Sequence, residues 1–181
     1  LERFEIEQSI RGVWPWFPTE LGFTLEMLSG ATVTRPNERT PYSPNSRYIE
    51  LVEASTTLRE MGRVPLKPEN VRAVLAQAVA GTAVELLFDE ESLTYMFGIE
   101  PELTNKALAS GHLALLTHDD LPGGVALFDD CVGMCCRDYD TGLSRAIIDT
   151  DTPDALEHAQ VLFEKYRRDS IPFKADALTA R

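Results

Sequence analysis

The sequence predicts an α/β domain: a mixed sheet of about seven strands with flanking helices. Three observations carry that prediction. Short apolar runs alternate with amphipathic stretches from residue 32 to residue 117, as strands separated by helices do. Three further apolar runs, "VALFD", "CVGMCCR" and "LSRAIID", follow with connectors short enough for hairpins. Finally, 44% apolar residues in a chain of 181 are ample for one core.

In order along the chain, Ile6, Ile10, Val13 and Trp14 share one helical face, and "WPWFP" stops that helix because Pro15 and Pro18 restrict the residues before them. "ATVTRP" reads as a strand. Ser43 is expected to cap, and Pro44 to open, a helix over "SPNSRYIELVEASTTLREMG". Its inward stripe would be Tyr48, Leu51, Val52, Ser55 and Leu58, and Gly62 would end it. "RVPL" reads as a short irregular strand. "KPENVRAVLAQAVAG" is a second helix with Val71, Val74, Leu75, Ala78 and Val79 inward, and "TAVELLF" a buried strand. Asp89 starts one further helix and Pro101 another. "HLALLTH" has the continuous apolar run of a central strand covered on both faces. After the hairpin strands, Thr152 caps and Pro153 opens a last helix that buries Leu156, Ala159, Leu162, Phe163 and Tyr166. The domain division expected is residues 1–18 as a linker helix, 19–171 as the α/β domain and 172–181 as a frayed tail.

Charge excludes some functions. With 29 acids against 17 bases the net charge is −12, and no window clusters the Lys and Arg that a nucleic-acid grip needs. No run approaches the roughly 20 apolar residues of a membrane span, nor is there a secretory leader, so a cytoplasmic protein is expected. An opening helix that begins on Leu1 suggests a fragment whose earlier part is missing.

The candidate chemistry is sparse. Cys131 and Cys135 face one side of their strand and Cys136 the other; without C-x-x-C or clustered histidines, core packing is expected and no metal site. No P-loop, G-x-S-x-G, G-x-G-x-x-G or H-E-x-x-H occurs, and no cofactor is implied. His118 and Asp119 follow the strand placed centrally, where α/β sheets gather ligands; the rival reading is polar turn chemistry. Arg47, Arg63, Arg137 and Arg145 stand beside apolar segments. Each meets either a nearby Asp or the carboxylate or phosphate of a ligand. The ligand-binding candidates are therefore Arg47, Tyr48, His118, Asp119, Arg137 and Arg145.

"HDDLPGGVALFDDCVGMCCRDYDTGLSRAIIDTDTPDALEHAQVLFEKYRRDS", with "PYSPNSRYIELVEASTTLREM", resembles the effector domain of archaeal winged-helix transcriptional regulators. The family is the middle-domain family named after the methanogen filamentation regulator, in haloarchaeal versions, and the resemblance covers about residues 10 to 170. It implies a DNA-reading winged helix before Leu1, joined through residues 2–14, and an acidic haloarchaeal cytosol. It further implies kinship with the TrmB-like regulators, whose sheet is similar to that of phospholipase D. The phospholipase motif H-x-K-x(4)-D is missing, since His118 is followed by two aspartates. The function expected is a ligand-sensing or dimerising, non-enzymatic effector domain. Its partners would be a small-molecule effector, a second copy of the chain, and DNA only through the preceding domain. The rivals are a phosphodiesterase-like hydrolase using His118 and a purely structural dimerisation module.

Overall fold

The computed structural model describes residues 2–174. An eight-stranded sheet runs through its centre: β1 Thr32–Thr34, β2 Thr57–Gly62, β3 Ala83–Phe88, β4 Leu113–Thr117, β5 Val125–Leu127, β6 Val132–Arg137, β7 Ser144–Thr150 and β8 Ile171–Pro172, in the order β1-β7-β6-β5-β2-β3-β4-β8. β2, β3 and β4 are parallel and joined through helices, as parallel neighbours require. β5, β6 and β7 form the expected meander, and β5 lies antiparallel against β2. β2 is thus the seam where the parallel half of the sheet meets the antiparallel half.

The six α-helices among the described residues are α1 Glu2–Val13, α2 Ser43–Glu53, α3 Pro68–Ala80, α4 Glu90–Gly98, α5 Pro101–Ala109 and α6 Pro153–Arg168. They divide between the two faces of the sheet. α1, α6 and the segment between α1 and β1 cover one face, where Ile10, Val13, Leu28, Ala159 and Phe163 bury against Met61, Met134 and Ile148. α2 to α5 cover the other, where Val52, Val74, Leu75 and Phe97 bury against Leu58, Leu86, Phe88 and Ile147. The period-2 alternation of strand side chains does the sorting: Leu58 and Glu60 go to the α2–α5 face, while Arg59 and Met61 go to the α6 face. The two-faced core explains why β3 reads "AVELLF" as a nearly continuous apolar run.

Several expectations need correcting. The helix expected over residues 43–62 is two elements, because the chain leaves helix at Ala54 and "TLREMG" pairs in parallel with β3. Ser43 does not cap α2; Tyr42 holds that position, and the Ser43 hydroxyl donates to the Arg35 carbonyl at 2.8 Å. "RVPL" is a bend and not a strand. β4 is next to the sheet edge rather than central, and its Ala114 is exposed. Beyond α6 the chain makes the edge strand β8 on β4, so the frayed tail does not begin at residue 172; residues 175–181 of that expected tail lie outside the described residues. There is no structural break at residue 18 either: Ile10, Val13, Phe17 and Leu21 belong to one core. Asp89 and Thr152 cap α4 and α6 as their sequence positions predict.

Candidate ligand-binding site

Glu60 occupies the third-from-last position of β2, paired with Leu86 on one side and Ala126 on the other. The alternation that sends Leu58 inward sends Glu60 inward too, and it is 7% exposed. Its Oε2 accepts a 2.5 Å hydrogen bond from the Tyr48 hydroxyl of α2. Burial in this apolar setting pushes the Glu60 carboxyl up to about 7, against the opposing pull of the Tyr48 hydrogen bond. Tyr48 is held well above its ordinary value by burial and by the carboxylate beside it. Among the described residues, no cation forms an ion pair with Glu60.

Two small cavities flank this pair. One, of about 80 Å³, opens past the carboxyl end of β2 and is lined by Glu60, Gly62, Arg63, Gly133, Arg137 and Tyr139. Gly62 makes room for the Phe88 ring in its wall: a Cβ there would stand 2.8 Å from Phe88 Cε1. Tyr139, on the turn after β6, stacks under the Arg63 guanidinium at 4.9 Å and forms part of the rim. The second cavity, of about 70 Å³, lies between the first turns of α2 and α3 and the β6–β7 pair, lined by Asn45, Asn70, Lys67, Ser144 and again Glu60 and Arg137. Asn45 and Asn70 line it with other parts of their side chains; their side-chain oxygens are buried out of reach of its open space and have no hydrogen-bond partners.

The site therefore sits at the carboxyl end of a strand where the sheet changes character, the usual place for ligands in open α/β sheets. The strand is β2, not β4 as the sequence suggests. Glu60 was not among the residues singled out from sequence, and neither were the two asparagines. Sequence does carry one signal for Glu60: in the strand reading of "TLREMG", every second residue from Leu58 faces the core, so a carboxylate occupies an inward position.

Of the six sequence candidates, the structure brings Tyr48 and Arg137 to the cavities and disperses the others. Among the described residues the Arg137 guanidinium makes one hydrogen bond, to the Gly142 carbonyl at 3.3 Å. Arg47 instead grips Asp149 of β7 with two hydrogen bonds of 3.0 and 2.8 Å and also meets Glu50. Asp149 is 5% exposed, so this grip is a structural tie between α2 and the sheet. Arg145 pairs with Asp138 at 2.6 Å and lies over the Trp16 ring. His118 sits edge-on to Tyr166 and its Nδ1 accepts from the Asp120 amide, closing a turn; Asp119 is exposed. For these four, neighbouring side chains or solvent supply what a ligand was expected to supply. Cys136 lies in the core and Cys131 packs against it, with burial pushing Cys136 up to about 12 and Cys131 up to about 11. Cys135 departs from the expected core packing, half-buried beside the Ser144 hydroxyl and lining both cavities. No group of three or more His, Cys, Asp or Glu converges among the described residues, and no helix among them is long and apolar enough to cross a membrane.

Comparison with solved structures shows the same architecture in a phospholipase D family member, Nuc from Salmonella typhimurium, with a TM-score of 0.59 and 16% identity over 80% of this chain and 97% of that one. NucT from Helicobacter pylori gives 0.58 and 12% identity over 79% and 98%. TrmBL2, described as an archaeal chromatin protein with a novel mode of DNA binding, gives 0.60 and 11% identity over 79% of this chain. This chain spans about half of TrmBL2, 54% of its length. At these identities the likeness shows a shared fold, a phospholipase D-like sheet. No curated protein matches the sequence. A family model does match, over residues 41–169, from the start of α2 to the end of α6. The chain belongs to the family of the middle domain of the methanogenesis regulatory protein FilR1.

Proposed function

We propose that this domain is the signal-receiving part of a transcriptional regulator, and that it receives a small molecule in the cavities around Glu60, Tyr48 and Arg137. The observation that carries the reading is the buried Glu60. A carboxyl removed from water without a compensating cation destabilises a fold, and its retention beside open space is characteristic of a binding site. Family membership supports the regulatory setting, and the likeness to TrmBL2 is consistent with it. The logic is a population shift. The cavities are bounded by α2, α3 and the tip of the β6–β7 hairpin, so an occupant ties together elements that otherwise meet across empty space. In a dimer, such a change alters the spacing of attached DNA-reading parts. The domain itself does not hold DNA, because a net charge of −12 opposes it.

The direct test is thermal denaturation of the 181-residue chain against a metabolite library. A ligand specific for the native state raises the melting temperature by mass action, and Glu60→Gln or Arg137→Gln removes the effect. Failure of every compound, with a wild-type chain that folds cooperatively, removes the sensing reading and leaves a structural dimerisation module. Tight, salt-sensitive binding of DNA by the chain alone overturns the division of labour.

A second reading has one observation in its favour, the fold shared with phospholipase D-family nucleases. It fails to find its chemistry here: His118 has Asp120 two places on where the motif needs lysine, and its ring is occupied in a turn. Hydrolysis of a generic phosphodiester, lost in His118→Ala, establishes that reading; an inactive wild type removes it.

A further inference from the structure

The larger cavity joins an apolar body to a cationic mouth, and the combination narrows what it takes. The inference rests on the sensing reading above and goes further, to the class of ligand. The floor is the inward face of the sheet, where Glu60 of β2, Ala126 of β5 and Gly133 of β6 stand in one row across neighbouring strands. Inward side chains are what fill the space between sheet and helices, so two small residues side by side leave a depression. Gly133 also lets the Phe128 ring approach the sheet, for a Cβ there would meet Phe128 Cε2 at 3.1 Å. Val64, Leu66, Phe88 and Ile147 complete an apolar wall, which favours an occupant with apolar surface to withdraw from water.

The charges around the two cavities run against the rest of the chain, which carries 29 acidic residues to 17 basic. Arg63, Lys67 and Arg137 line them, and Glu60 is the only carboxyl group that does. Among the described residues none of the three cations forms an ion pair. Two of them are held in place without being neutralised: Arg63 lies over the Tyr139 ring, and Arg137 donates to the Gly142 carbonyl. Fixed guanidinium groups at the mouth of an apolar space suit one anionic head, and the planar fork of arginine matches a carboxylate. Glu60 does not repel that head while it is protonated. Burial pushes its carboxyl up to about 7. Tyr48 occupies Oε2, so the proton belongs on Oε1, which has no partner among the described residues and can donate to an anion. The other titratable groups around the space are Tyr48 of α2, Arg63, Lys67, and Cys135, Arg137 and Tyr139 of β6 and its turn. Size supplies the last constraint. About 80 Å³ is far below drug-sized sites of roughly 300 Å³ and more, and about half of the ~150 Å³ cavity that holds benzene. Nucleotides and long acyl chains are too large.

We infer that the cavity takes a short-chain monocarboxylate of roughly three to five carbons, with its alkyl body over Ala126 against Phe128 and Ile147 and its carboxylate at Arg63 and Arg137. The head lies beside Glu60, so binding holds the Glu60 proton in place and weakens as pH rises through about 7.

The test is isothermal titration of the full 181-residue chain at pH 6 with four probes: butyrate, butyramide, inorganic phosphate and octanoate. Butyramide keeps the body without the charge, phosphate keeps the charge without the body, and octanoate keeps both but is too long. The inference predicts that butyrate binds at least tenfold more tightly than each of the other three. It further predicts at least tenfold loss of butyrate affinity in Arg137→Gln, with Arg168→Gln on α6 unchanged, and at least threefold loss in the parent between pH 6 and pH 8.5. Arg63→Gln, at an exposed position, carries the same expectation if Arg137→Gln does not fold. Equal affinity for butyramide, phosphate or octanoate overturns the ligand class, as does butyrate binding that both arginine variants leave unchanged. Affinity flat with pH places the head away from Glu60 and overturns the assignment. Absence of butyrate binding overturns the class while an uncharged library compound whose thermal shift is lost in Arg137→Gln keeps the sensing reading; a blank library screen as well overturns both.

Discussion

Replacing Glu60 by Gln isolates the energetic consequence of burying an acid at the seam of the sheet. Glutamine keeps an oxygen to accept from the Tyr48 hydroxyl and removes the ionisable group. In the folded chain the Glu60 carboxyl is pushed from 4.5 up to about 7, by burial first and against the pull of Tyr48. Because the folded value is the higher one, the sign is opposite to that of a salt-bridged acid. Below pH 4.5 the group is protonated in both states and contributes nothing. Between 4.5 and about 7 the unfolded chain ionises while the folded chain holds its proton, so stability falls as pH rises. Above about 7 the full loss is in place. A carboxyl moved from 4.5 to about 7 corresponds to roughly 3 kcal/mol. Urea denaturation at a series of pH values reads this directly. The stability of Glu60→Gln relative to the parent should rise by about 3 kcal/mol between pH 4 and pH 8, about 1.5 M in urea midpoint for a slope near 2 kcal/mol/M. The other carboxylates cancel in the difference, and any pH-independent effect of the extra amide N–H is a constant offset. A difference flat with pH would mean that Glu60 titrates in the folded chain as it does in water, and the argument from its burial collapses.

Three other perturbations test the frame around the site. Arg47→Ala strands the buried Asp149 carboxylate, and with Arg47 partly exposed the cost should be about 2–3 kcal/mol in urea unfolding, recovered in part by adding Asp149→Asn. Gly62→Ala drives a methyl toward Phe88, from which an ideal Cβ stands 2.8 Å away; about 1–3 kcal/mol of lost stability and loss of ligand-induced thermal shifts should go together. Asp129 accepts hydrogen bonds from the amides and hydroxyls of Thr56 and Thr57, clamping the start of β2 to the β5–β6 turn. Those bonds outweigh desolvation and hold its carboxyl below the usual range. Asp129→Asn should therefore lower stability above pH 4, and the deficit should shrink as acid protonates the parent.

Much of the architecture is legible in the sequence because the strong signals are local. Proline opens α3, α5 and α6 at their first turn, apolar runs bounded by turns give β3 to β7, and Thr152 caps where a cap is needed. The site is less legible, for a physical reason centred on residues 54–62. "ASTTLREMG" has no proline or internal glycine, and Leu, Arg, Glu and Met all favour helix. Pairing with β3 and β5 overrides that local preference. Read as helix, Glu60 falls on a solvated face; only as strand does it turn inward beneath Tyr48. A single wrong element thus hid the residue on which the site depends. β8 was missed for a related reason: it is two residues long, includes a proline, and exists because the edge of β4 is there to receive it. The arginines divide by partner. Arg47 finds Asp149 from a distant part of the chain and Arg145 finds Asp138 across the β6–β7 hairpin, while Arg137 finds no acid among the described residues, and nothing local in sequence distinguishes them.

Backbone amide shift mapping of the 181-residue chain, titrated with a compound that raises its melting temperature in the library screen, tests the central claim most directly. The account predicts saturable shifts concentrated at Glu60 to Arg63, Asn45, Asn70 and Arg137, with His118 to Asp120 unmoved. Shifts confined to the His118 turn, or no saturable shift anywhere, would contradict it.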